Sequence, residues 1–141
     1  MWVDCTATSA PASIALASCA DDGNARPTKA EFVRRACTIQ VAGNRKLQAA
    51  GRAAKPGTSE KQFVEEQFVP IAEKSLIAPL DALKTPEGDD QQVDAIVAAA
   101  RQAVESLKAN PKAIRAQPGS AEDPFHRFAQ LAAAYGLRCP S

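Results

Sequence analysis

The chain is poor in the residues that metal, haem and nucleophile chemistry rely on. It has one histidine, one methionine and one tyrosine among 141 residues, and aromatic side chains make up 5% of it. A haem bundle needs axial His or Met and often a C-x-x-C-H attachment; a di-iron bundle needs paired E-x-x-H motifs with further inward glutamates. His126 and Met1 cannot supply either set. The cysteines, Cys5, Cys19, Cys37 and Cys139, form no C-x-x-C, which removes the usual zinc spacings. No Gly-rich phosphate loop, nucleophile elbow or zinc-protease helix motif is present, so no metal or cofactor is expected.

Long apolar runs and an excess of charge of one sign are lacking as well. No run approaches the roughly 20 apolar residues of a membrane span. With 17 Lys plus Arg against 16 Asp plus Glu, the net charge of +1 gives no long-range field for nucleic acid or for an anionic surface, and no nucleic-acid partner is expected. Arg34, Arg35, Arg45, Lys46, Arg52 and Lys55 do cluster in one segment. Without interleaved aromatics they read as the solvated face of a helix.

What the chain has in plenty is alanine, 30 residues of it. High alanine with few β-branched and aromatic residues favours closely packed helices over sheet, and the length suits one domain. Thr28 with Glu31 forms a capping box, and Phe32, Ala36, Ile39, Gly43, Leu47 and Ala50 follow as one apolar stripe, so a first helix is expected to run to about Ala54 before Pro56 and Gly57. Ser59 with Gln62 caps a second. It carries Val69, Ala72, Leu76, Leu80 and Leu83, widened by Phe63, Phe68 and Ile71, and the internal Pro70 and Pro79 predict a bend or a break between about 59 and 84. A third helix, capped by Asp89 or Asp90, has Val93, Ile96, Val97, Ala100, Ala103, Val104 and Leu107 in register. After a connection with one turn near Ala113 to Arg115, a fourth is expected with Asp123 as its N-cap and Pro124 at its first helical position. It places Phe125, Phe128, Ala129, Ala132 and Tyr135 on one side and ends at Gly136. The expected fold is all-α, an antiparallel up-down-up-down four-helix bundle over residues 28–141 with one bent, proline-containing helix.

The segment before that domain speaks to address. Residues 1–18 end in small residues as a secretory leader does but contain no Lys or Arg, the first basic residue being Arg26; they read as a partial or truncated leader. Residues 19–27 read as a flexible tether. Leu16-Ala17-Ser18-Cys19 resembles the lipobox of bacterial lipoproteins, which implies lipid attachment at Cys19, a membrane tether through that lipid and loss of Trp2 with the leader.

Cys37 sits about nine residues into the first helix, roughly 13 Å along its axis. In an alternating bundle, a tail leaving the fourth helix after Gly136 can cover that distance in about three extended residues. A Cys37–Cys139 bridge is thus within reach, and so is the plainer alternative of a buried Cys37 and a free Cys139. A bridge would close a loop of about 100 residues, for which chain entropy gives on the order of 4 to 5 kcal/mol.

From Lys29 onward the chain resembles a group of small secreted or lipid-anchored helical proteins of actinobacteria. The residues that carry the likeness are "FVRRACTI", with Cys37 about a turn after Phe32 and Val33, "FVEEQFVP" from Phe63 to Pro70, and the most specific segment, "DPFHRFAQLAAAYGLRC" from Asp123 to Cys139. The resemblance implies an extracytoplasmic helical domain with its first and last cysteines bridged. It brings no activity and no catalytic residue.

His126 near Asp123 reads as a first-turn histidine with a local contact, and the adjacent pairs Glu65–Glu66 and Asp89–Asp90 do not face each other on a helix. Tyr135 is expected to pack its ring under the C-terminal tail with its hydroxyl outward. The functional expectation is a non-enzymatic, extracytoplasmic, membrane-tethered module that meets an unidentified protein partner. The alternative is a bundle that binds a small apolar ligand in a pocket of Phe63, Phe68, Phe125 and Phe128, left open by alanines too small to fill it. A third, an enzyme acting through Cys37 with His126, requires a free thiol of depressed pKa.

Overall fold

The computed structural model describes residues 25–140. They are all-helical, with no strand among them. Four helices carry the described chain: α1 (Lys29–Ala53), α2 (residues 60–82), α3 (Asp90–Ala109) and α4 (His126–Tyr135), with a 3-10 turn, Pro111–Arg115, after α3. The segment read as a leader, the expected lipidation site Cys19 and residues 20–24 of the expected tether lie outside the described residues.

Local chemistry sets most of the helix ends. Thr28 Oγ1 accepts from Glu31 N–H at 3.1 Å while Glu31 Oε1 accepts from Thr28 N–H at 2.9 Å, the complete capping box. That exposed carboxyl lies below its ordinary pKa, chiefly because the Thr28 N–H bonds to its ionised form. Ser59 accepts from Gln62 N–H at 3.1 Å at the start of α2. At α3 the expected cap is absent: Asp89 holds the N-cap position, but its side chain makes no capping bond. Its oxygen is taken by a residue far along the chain, described below. Asp90 is engaged by the Thr85 hydroxyl and, at 3.0 Å, by Arg26, and these bonds lower its pKa in that order. Arg26 thereby ties the residues just before α1 to the start of α3.

The two prolines of α2 neither break it nor divide it. Val64–Phe68 and Glu73–Ile77 are π-helical turns, each widened by one residue, and Pro70 and Pro79 follow them after one intervening residue, Val69 and Ala78. The Val69 N–H reaches back to the Val64 carbonyl and the Ala78 N–H to that of Glu73, five residues each. A proline ring clashes with the carbonyl four residues earlier in an α-turn, and the wider turn removes that conflict. The buried positions record the insertion: Val64, Val69, Ala72, Ile77 and Leu80 recur at five, three, five and three. A 3.6-residue period instead picks Leu76, and the structure corrects that reading. Ile77 is the core residue and Leu76 turns toward α1.

α1 packs on α2, α2 on α3 and α3 on α4, with the 3-10 turn against α3 and the start of α2. Gly43 is buried where α1 meets α2, because a Cβ there would overlap the Leu76 side chain and stand 3.1 Å from the Ser75 carbonyl oxygen. Next to it Lys46 Nζ donates to Ser75 Oγ at 3.3 Å. Every position of the α3 stripe read from sequence is buried, from Val93 to Leu107, with Ala99 in addition. Val93, Ile96, Val97, Ala100, Val104 and Leu107 of that face, with Phe32, Ala36, Ala132, Tyr135, Leu137 and the buried residues of α2, form one continuous core. At roughly 1.5 to 3 kcal/mol per fully buried large aliphatic side chain, α3 is the main source of cohesion. The ion pairs Arg101–Asp81 (2.7 Å), Lys108–Glu105 (3.0 Å) and Arg115–Glu60 lie at the surface, where solvent screening leaves such pairs little net weight.

Candidate functional site

The site begins at the end of α4. Gly136, at φ 107°, takes the left-handed conformation that side chains resist. It lets the Leu137 N–H reach the Ala132 carbonyl (2.8 Å) and the Gly136 N–H that of Ala133 (3.0 Å), a complete Schellman motif. Leu137 is buried, and the Arg138 N–H bonds back to the Gly136 carbonyl at 2.9 Å. The chain is thus turned across to α1, where Cys139 is bridged to Cys37 with the Cα atoms 5.1 Å apart. This selects the bridge over the free-thiol alternative. It also ends the reading of Cys37 as a nucleophile with His126, whose ring has no hydrogen-bond partner among the described residues. Gln40 Oε1 lies 3.5 Å from Cys139 Sγ, but a half-cystine has no S–H to donate, so this contact is not a hydrogen bond.

α1 and α4 do not pack along their lengths. They meet near the start of α1 and the end of α4, through the edge-to-face pair of Phe32 and Tyr135 (centroids 5.8 Å apart), Lys29 Nζ over the Tyr135 ring (4.4 Å) and the disulfide. Beyond that contact the two helices border a cleft of about 600 Å³. Its walls are Leu47 of α1, Phe68, Leu76 and Leu80 of α2, Phe125 and Phe128 before and within α4, and Leu137 and Cys139 of the tail. Ala72, Ala100, Ala129, Ala132 and Ala133 also line it, and their short side chains leave the volume open. Phe68 and Phe125 stand 5.9 Å apart and Phe125 and Phe128 6.5 Å apart, a run of ring contacts along the wall. Gln40, Asn44, Asp123 and Arg138 supply the polar part of the lining. A cleft of this size, apolar with few polar groups, is within the range of about 300 to 1,000 Å³ that holds small-molecule ligands.

Three of the four phenylalanines expected in such a pocket are brought together, and the fourth is not. Phe63 faces a separate depression with Ala50, Ala53, Gln62 and Glu66, where the end of α1 passes the start of α2. Sequence reasoning missed Gln40, Asn44 and Leu47 of α1 and all of the tail, because only the tertiary fold sets α1 beside the α4 rings. The four-residue spacing of Gln40 and Asn44 places them on one face, but nothing in that spacing marks a rim.

Further corrections concern α4 and Tyr135. The helix begins at His126, after Asp123 and Pro124, and Phe125 occupies the N-cap position. Asp123 accepts the Gly119 N–H and the Phe125 N–H, each at 2.9 Å, and so fixes the turn before the helix. Ala129 is exposed at the cleft mouth and adds nothing to the core. Tyr135 is 4% exposed, and its hydroxyl is directed to Asp89 Oδ2 at 2.6 Å instead of outward. Burial, and then the hydrogen bond it donates to the Asp89 carboxylate, push the phenol pKa well up, so the hydroxyl stays a donor near neutrality.

Among the described residues no cluster of three or more His, Cys, Asp or Glu is arranged to hold a metal ion. No described helix is long and apolar enough to cross a membrane. The chain matches no protein-family model, and no curated protein or solved structure is significantly similar to it.

Proposed function

We propose that the described chain is an antiparallel up-down-up-down four-helix bundle that holds a small apolar ligand in the cleft between α1 and α4. The pairings Gly43 with Leu76, Asp81 with Arg101 and Tyr135 with Asp89 fit neighbouring helices of opposite direction. One observation carries the ligand reading: Phe68, Phe125 and Phe128 border about 600 Å³ that the neighbouring alanines do not fill. Binding without covalent chemistry is the role, since the cleft offers no nucleophile and no general base beside one. Titration of the intact protein with a neutral apolar fluorophore such as N-phenyl-1-naphthylamine tests it. Saturable enhancement at one site per chain is expected, and a signal that rises without saturation overturns the reading.

A second reading concerns address, and the disulfide favours it, because such bridges persist in oxidising compartments. Together with the Leu16–Cys19 lipobox and the likeness to lipid-anchored actinobacterial proteins, it supports an extracytoplasmic domain tethered by a lipid on Cys19, with residues 19–27 as the spacer and an envelope protein as partner. Intact mass of the protein from its native producer tests the tether. A chain starting at a lipid-bearing Cys19 is expected; an unmodified chain from Met1 sinks it.

A further inference from the structure

An apolar cleft selects against water, and its polar rim selects the head group. Two of the rim groups are neutral amides, Gln40 and Asn44, one turn apart on α1. Asp123 is acidic, but both of its carboxylate oxygens already accept backbone N–H groups, from Gly119 and Phe125. Arg138 is different. Its guanidinium is exposed and makes no ion pair or hydrogen bond with a described residue, while its backbone is held between buried Leu137 and bridged Cys139. A fixed backbone beside an apolar slot sets where the planar fan of N–H donors can reach, while the side chain itself is ordered on binding.

We infer that the ligand is a single-chain anionic amphiphile, a fatty acid, with its carboxylate on Arg138 and the amide groups of Gln40 and Asn44 and its chain along Phe125, Phe128 and Leu80. The inference rests on the cleft being a ligand site, as proposed above. Arginine and carboxylate pair through two parallel charge-assisted hydrogen bonds, which an alcohol of the same chain length cannot make. A quaternary ammonium head has no hydrogen-bond acceptor for the Arg138 guanidinium and meets it as a like charge.

The test is displacement of N-phenyl-1-naphthylamine from the full chain by palmitate, hexadecanol and hexadecyltrimethylammonium, each below its micellar concentration. Palmitate is expected to displace at a concentration at least about tenfold below the other two. Arg138→Ala brings palmitate to the hexadecanol value, and Arg138→Lys keeps part of the preference, with melting curves recorded to establish that each variant is folded. Equal displacement by palmitate and hexadecanol, or an undiminished preference in folded Arg138→Ala, overturns the anionic head group and leaves the apolar site standing. Failure of the fluorophore to saturate the wild-type chain overturns both.

Discussion

The Tyr135 hydroxyl donates a 2.6 Å hydrogen bond to Asp89 Oδ2, joining the last residue of α4 to the N-cap position of α3. The same ring packs edge-on against Phe32 and lies under Lys29, so three of the four helices are tied at one place. That knot fixes one end of the α1–α4 pair, and the cleft opens beyond it.

The knot makes stability sensitive to alkaline pH. The folded pKa of Tyr135 is raised above the ordinary 10.0, so its contribution is complete below pH 10 and is lost as pH rises from there toward the folded value. One proton linked in this way gives a decline of up to about 1.4 kcal/mol per pH unit. Urea melts between pH 8 and 11.5 read it directly. Tyr135→Phe is expected to cost about 1 kcal/mol at neutral pH, because Asp89 is part-exposed and water can replace the phenol. The variant also loses the Tyr135 share of the alkaline decline, and a variant as steep as the wild type assigns that decline to other groups.

Cutting the Cys37–Cys139 bridge frees a loop of 102 residues. Chain entropy predicts a loss on the order of 4 to 5 kcal/mol, a large part of the 5 to 15 kcal/mol that holds a typical domain. Denaturant midpoints of the Cys37→Ser/Cys139→Ser protein, or of the reduced and alkylated chain, measure it. Fluorophore binding should weaken too, since Leu137 and Cys139 form one wall of the cleft. An unchanged midpoint would mean that the tail is held by packing alone.

Gly43 and Gly51 lie on the same helix and call for opposite outcomes. A Cβ at Gly43 meets Leu76, so Gly43→Ala should destabilise by about 1 to 3 kcal/mol through overpacking, reduced by the better helix propensity of alanine. At Gly51 nothing lies within 4 Å of the added carbon. Gly51→Ala should therefore stabilise by about 0.5 to 1 kcal/mol, and a pair of melting curves decides whether α1 and α2 approach as closely as the structure has them.

Phe68→Ala should lower the affinity for N-phenyl-1-naphthylamine about tenfold or more, by removing an aromatic wall of the cleft. Phe63→Ala should leave affinity within about twofold, because Phe63 faces the other depression. Equal effects from the two variants would place the fluorophore outside the cleft.

α1 and α3 were open to reading because their signals are local. Thr28 and Glu31 bond within one turn of chain, and the α3 stripe repeats with the helical period for its whole length. The α2 register was hidden, since Pro70 and Pro79 announce a disturbance without saying how it is resolved. A kink, a break and a π turn all remove the clash, and only the packing of Ile77 into the core selects the last. Asp89 misled for a related reason: as an N-cap it has the right residue type, yet a phenol 46 positions away takes its oxygen.

By itself, then, the sequence determined which segments are helical and, for α1 and α2, the caps at which they begin, because capping bonds and hydrophobic periodicity act between residues a few positions apart. It also put Cys37 within reach of Cys139 and left open whether the two are bridged. Tertiary structure alone decided that the bridge is formed, that Leu76 yields the core to Ile77, and that Phe63 stays apart while Phe68, Phe125 and Phe128 gather in one cleft. These outcomes depend on how helices with unequal faces settle against each other. A cleft exists only where two of them, α1 and α4, are tied near one end and too sparsely furnished with large side chains to close along the rest.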